Sequence, residues 1–195
     1  AICAGGNNSF MCACSTGATS ILSYFLDKDI DTGYDEHHLL CPNLNGLTPI
    51  QTLVEKGHTS LLMNLLKRLS SNITFEVVNS RDKYGNDMLL SASKYSFSSL
   101  KFLLEGWENK DKQSCTLDAK VKNGNGHNIL MLHACSHHAS LSTVKELIDV
   151  APHLKGSLLD KDKDRKTLVD QLEDDIKQSP VLHNFQKHNV EVKKK

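Results

Sequence analysis

Apolar residues recur along the chain in a frame set by glycine. Gly6, Gly46, Gly85 and Gly126 are each followed four positions later by an apolar residue: Phe10, Ile50, Leu89 and Leu130. At seven and eight positions come Ala13 and Cys14, Leu53 and Val54, Ala92 and Ser93, His133 and Ala134. These offsets share one face of an α-helix, so a helix is predicted after each glycine. A second set with the same spacing follows: Leu22, Phe25, Leu26; Leu62, Leu65, Leu66; Leu100, Leu103, Leu104; Val144, Leu147, Ile148. Each unit therefore reads as a helix, a turn and a helix.

The glycines are 40, 39 and 41 residues apart, and a fifth unit follows 39 later with Arg165 in the glycine position, then Thr167, Val169 and Leu172. A terminal repeat has one neighbour instead of two and needs a more polar outer face, which Asp170, Glu173, Asp174 and Asp175 supply. Ser179-Pro180 suits the start of a last short helix carrying Leu182 and Phe185. The basic tail from Lys187 reads as disordered. The expected organisation is one domain over 1–186, with units at about 3–42, 43–81, 82–122 and 123–161, a cap at 162–186, and the tail 187–195.

These units resemble ankyrin repeats, whose pattern runs Asp-x-x-Gly-x-Thr-Pro-Leu-His, two small residues, a Gly-His turn and a Val/Leu-rich second helix. The fullest match is Asn43-Leu44-Asn45-Gly46-Leu47-Thr48-Pro49-Ile50, followed by Glu55-Lys56-Gly57-His58 and the leucines from Leu61 to Leu66. Asp82-Lys83-Tyr84-Gly85-Asn86-Asp87 is the second. Glycine permits the positive φ of a tight turn. Thr48 can cap the first helix of its unit, and Pro49 fits the first turn without losing a needed N–H. The resemblance implies an all-α ankyrin-repeat solenoid with loop or β-hairpin fingers.

The chain also departs from that pattern. From the second helix to the next repeat position it spends 20, 19, 22 and 17 residues, against about 13 in the usual unit of about 33. The extra residues are expected in the loops and hairpin fingers. Long fingers resemble the IκB-like branch of the family.

Composition narrows the function. The 195 residues carry 23 Lys+Arg and 23 Asp+Glu, so net charge gives no reason to seek a polyanion, and direct nucleic-acid binding is disfavoured. No apolar run reaches the roughly 18 residues of a membrane span. The chain starts at Ala1 and not at Met, which suggests a fragment of a longer protein. Its six cysteines (Cys3, Cys12, Cys14, Cys41, Cys115, Cys135) are scattered over a chain too long to need staples. They read as reduced thiols of an intracellular protein, cytoplasmic or nuclear.

Catalytic chemistry is not indicated. There is no phosphate-cradling loop with Lys-Ser/Thr, no nucleophile elbow and no His-Glu-x-x-His helix. Asp160, Asp162 and Asp164 imitate an EF-hand start, but Arg165 stands where glycine is required and Gln171 where a bidentate Glu is required. His133, Cys135, His137 and His138 form one His/Cys cluster, and His37, His38 and Cys41 another. The simpler reading makes His133 a hydrogen-bonded core residue beside exposed His137 and His138. Zinc held by these clusters is the alternative. No cofactor and no small-molecule substrate are expected.

The resemblance implies a concave binding surface made by finger tips and the exposed sides of the inner helices. Its residues here are Leu44, Asn45 and Leu47; Glu55 and Lys56; Lys83, Tyr84 and Asn86; Lys94 and Tyr95; Asn125 and His127; Ser136 and His137. Tyr84 and Tyr95 are either partner anchors or covers for gaps between fingers. Trp107 is either a further anchor or the cover of an extended loop. The expected role is a non-catalytic regulatory adaptor or inhibitor that binds a signalling or transcription protein. The alternative is a substrate-recruiting or host-targeting domain of a larger effector or enzyme.

Overall fold

A computed structural model describes residues 5–25, 36–168 and 170 of the chain. Cys3, Leu26, Val169, Leu172, Glu173, Asp174, Asp175, the helix expected after Ser179-Pro180 and the tail lie outside the described residues. The structure is mostly helical. Each unit opens with an inner helix: α1 (Ser9–Thr16), α3 (Pro49–Glu55), α6 (Met88–Tyr95) and α8 (Ile129–Ala134). An outer helix follows: α2 (Thr19–Phe25), α4 (Thr59–Arg68), α7 (Phe97–Glu105) and α9 (Leu141–Val150). The inner helices pack in chain order, α1 on α3 on α6 on α8, and α4, α7 and α9 pack in the same order beside them.

Each inner helix starts two residues after the repeat position, on a side chain able to accept from the exposed N–H groups of a first turn. Asn8 accepts from the Met11 N–H at 2.7 Å, Asp87 from Leu90 at 2.9 Å and Asn128 from Met131 at 2.9 Å. Thr48 accepts from Gln51, whose side chain accepts in return from the Thr48 N–H at 2.9 Å, with Pro49 in the first turn. At the fifth position Thr167 and Asp170 make the same reciprocal pair.

The apolar frame fills the core. Phe10, Ile50, Leu89 and Leu130 are buried, as are Leu22, Leu62, Leu100 and Val144 from the outer helices. His133 is also wholly buried. Its Nδ1 faces the Ser93 carbonyl on α6 at 3.4 Å and its Nε2 lies 2.8 Å from the Thr143 hydroxyl on α9. A carbonyl only accepts, so the neutral ring carries its proton on Nδ1. His58 spans two units in the same way, donating from Nε2 to the Ser15 carbonyl at 3.2 Å.

The extra residues after the outer helices are not simply lengthened fingers. They form a 3-10 helix (Glu36–Leu40), a further α-helix α5 (Ser71–Asn79), a short antiparallel pair β1 (Trp107–Glu108) with β2 (Ser114–Cys115), and a second 3-10 helix (Pro152–Leu159). The physical reason is burial. In α5, Ile73, Thr74, Val77 and Val78 turn one face inward, and the helix packs on α6 and on the first 3-10 helix. That 3-10 helix also touches α3, and the second one touches α8 and α9.

Candidate functional site

The turns preceding α3, α6 and α8 and the turn at the fifth position share one construction. The Asn43 N–H donates to the Leu47 carbonyl and the Gly46 N–H to the Asn43 carbonyl, both at 2.9 Å. The Asn43 side-chain oxygen accepts from the Asn45 and Leu47 N–H groups. Asp82, Asn123 and Asp162 organise the next three turns with the same bonds. A short Asn or Asp side chain that captures the N–H two residues on is what such a turn requires.

Neighbouring turns are joined by one backbone bond each. Leu44 N–H donates to Gly5 O at 3.1 Å, Lys83 N–H to Asn45 O at 3.1 Å, Gly124 N–H to Tyr84 O and Lys163 N–H to Asn125 O at 3.0 Å. This closeness explains the glycines. Gly85 has φ +78°, and a Cβ there would lie 2.8 Å from the Gly124 nitrogen. At the fifth turn Arg165 takes the same left-handed conformation, φ 61°.

The turns present the pairs Leu44/Asn45, Lys83/Tyr84, Gly124/Asn125 and Lys163/Asp164 to solvent. Leu44 is 81% exposed and Tyr84 61%. The expected binding residue Asn86 is instead buried. Its amide donates to Asp82 Oδ2 and its carbonyl oxygen accepts from the Asn123 amide, both at 3.0 Å, so it braces two turns. Leu47 and His127, one residue after their glycines, are half-buried, and His127 Nε2 lies 3.5 Å from Asp162 Oδ2.

The flanks of the inner helices are not open either. Residues 49–54, 88–93 and 129–133 are all buried, because each inner helix is held between neighbouring helices and touched by an extra element. Only the C-terminal ends emerge: half-buried Glu55 with exposed Lys56, then Lys94 and Tyr95, then half-buried Ser136 with exposed His137. Tyr95 is 39% exposed. Lys83 and Lys94 each hold the ammonium 5.0 Å from the ring centroid of the tyrosine that follows. Burial pushes the Glu55 carboxyl up, and the charge of Asp82 pushes it further, against the opposite effects of Lys56 and Lys94. Helix end and next turn therefore share one electrostatic neighbourhood. The exposed turn residues follow one another along the row of backbone-joined turns, and those of the helix ends along the packed inner helices; together they are termed the band.

Trp107 lies outside this band. It is 5% exposed, packs against Phe102 with ring centroids 5.7 Å apart, and pairs with Cys115 in the strand pair. Of its two readings the loop cover fits its burial and the exposed anchor does not.

Among the described residues no three His, Cys, Asp or Glu side chains converge in a group able to hold a metal ion. His133 points into the core while His137 and His138 face solvent. The EF-hand imitation dissolves in the same way: Asp162 serves its turn, and Asp160 pairs with Lys122 at 3.1 Å and with the Asn128 amide. No two described cysteines are joined by a disulfide, and burial pushes the Cys14 thiol up to about 12. No described helix is long and apolar enough to cross a membrane. The chain matches no protein-family model, and no curated protein matches it.

Proposed function

We propose that the chain is a divergent ankyrin-like repeat domain that acts as a non-catalytic protein-binding module, a regulatory adaptor or inhibitor of a signalling or transcription protein inside the cell. On this reading the units of the glycine frame make up one domain over 1–186. The observation that carries the reading is the band of turns and helix ends. Turns locked to one another by backbone bonds hold Leu44, Lys83 and Tyr84 in fixed positions, and Lys94 and Tyr95 are exposed at the end of α6. Partially exposed tyrosines on a rigid frame are the residue type that anchors a protein interface, because they add contact area at little entropic cost. Buried Asn86 supports the role indirectly, by fixing the turn that displays Tyr84.

The test is affinity capture from cell lysate with the wild-type chain and with Tyr84→Ala/Tyr95→Ala. The reading expects a discrete protein that the variant retains at least about fivefold less well, with unchanged far-ultraviolet circular dichroism. Equal retention by both chains would remove the band from the proposal.

A further inference from the structure

The geometry points to an acidic peptide segment with interspersed apolar side chains as the occupant of the band. This rests on reading the band as the protein-binding surface, and it adds the chemistry of what binds there. Four observations carry it. First, the exposed cations are Lys56, Lys83, Lys94, Lys163, Arg165 and Lys166, against half-buried Glu55 and exposed Asp164. The other two carboxylates of the turns, Asp82 and Asp162, are half-buried and spend an oxygen on two backbone N–H groups each. The surface potential is therefore set by the lysines, although the whole chain is neutral.

Second, Lys83 and Lys94 are held in place. Each ammonium lies over its tyrosine ring, and Lys83 Nζ also donates to Asn45 Oδ1 at 2.7 Å. An ammonium offers three N–H donors, so Lys83 keeps donors for an incoming carboxylate without first losing the freedom of its side chain. Third, the cations alternate with apolar surface: Leu44 on the preceding turn, Tyr84 beside Lys83, Tyr95 beside Lys94. A ligand matched to this sequence needs carboxylates separated by aliphatic or aromatic groups.

Fourth, the band carries Glu55 and Asp164 among its cations. A nucleic-acid strand has a charge at every residue and meets both carboxylates with phosphate. A peptide can place a neutral side chain there. The peptide is accordingly the occupant favoured over a single strand, and the strand becomes an outcome of the test.

The experiment is selection of binders from a random 15-residue peptide library displayed on phage, against three chains: wild type, Lys83→Glu/Lys94→Glu and Tyr84→Ala/Tyr95→Ala, all checked for unchanged circular dichroism. Peptides taken by the wild type should be net negative with Leu, Ile, Phe or Trp between the acids. Synthetic copies should bind the charge-reversed chain at least about tenfold more weakly and should weaken with added salt. They should bind the tyrosine variant at least about fivefold more weakly. Neutral or basic selected peptides that still lose affinity in the tyrosine variant would overturn the acidic chemistry and leave the band standing. Acidic peptides indifferent to both variants would overturn the band itself. No selected peptide, or tighter binding of a 15-nucleotide oligo-dT than of any selected peptide, would overturn the inference.

Discussion

Replacing Gly85 by alanine separates two demands that a repeat glycine meets at once. The first is conformational: at φ +78° an L-residue pays roughly 1–2 kcal/mol for the left-handed region, less the chain entropy that alanine saves in the unfolded state. The second is contact: the new Cβ lies 2.8 Å from the Gly124 nitrogen, a backbone atom that cannot swing aside. The neighbouring turn must shift, which weakens the Gly124 N–H bond to Tyr84 O, worth about 1 kcal/mol, and disturbs the packing behind it by about 1 kcal/mol more. Gly85→Ala should therefore cost about 3 kcal/mol. Gly57 is the control, because its φ is +72° and a Cβ there meets nothing within 4 Å. Gly57→Ala should cost only about 1 kcal/mol. Arg165 already bears the left-handed cost at its own turn, so Arg165→Gly should be neutral or stabilising by up to about 1 kcal/mol. Urea unfolding followed by circular dichroism, with a common slope, measures all three. Equal losses for Gly85→Ala and Gly57→Ala would refute the claim that turn-to-turn contact holds the stack in register.

Three further outcomes follow from buried polar groups. The Thr74 and Ser91 hydroxyls are buried without a hydrogen-bond partner, so Thr74→Val and Ser91→Ala should each stabilise by about 1 kcal/mol in the same assay, and a loss in both would contradict this account. His133 has its pKa lowered from 6.5, chiefly by burial and secondarily by the positive charge of His138, with the Ser93 carbonyl acting the other way. The unfolded chain takes up this proton first as pH falls below 6.5, so the contribution is full above that pH and is lost below it at up to about 1.4 kcal/mol per pH unit. His133→Gln should flatten that part of the stability profile, and an unchanged profile would place the titration elsewhere. Alkylation mapped by mass spectrometry should mark exposed Cys41 and Cys135 in the folded protein and reach buried Cys14 only after denaturation. Early labelling of Cys14 would contradict its burial.

Much of the scaffold was legible because it follows from short-range rules. The offsets four, seven and eight after each glycine place Phe10, Ile50, Leu89 and Leu130 in the core, and a glycine followed by Asn, Thr or Asp two residues on starts a helix. Helix α5 was hidden for a different reason. Ile73, Val77 and Val78 do share one helix face, but the unit frame assigned them to a finger, and the elements that bury them, α6 and the 3-10 helix Glu36–Leu40, come from outside the unit. Asn86 looked like its exposed neighbours Lys83 and Tyr84. Its burial comes from a bond to Asn123, 37 residues away, and a regular Asn or Asp at the start of every turn was the available sign that side chains there serve the stack. Tyr84 and Tyr95 were legible as exposed positions because the frame leaves them outside the core offsets. The electrostatic link between Glu55 and Asp82 required two units side by side.

Hydrogen exchange of the chain with and without its captured protein partner tests the proposed function most directly. The account predicts slowed exchange in the turns at 43–47, 82–86, 123–127 and 162–166 and at the C-terminal ends of α3, α6 and α8, with little change elsewhere among the described residues. Protection confined instead to the groove lined by Met63, Phe102 and Trp107, with the turns unchanged, would contradict it.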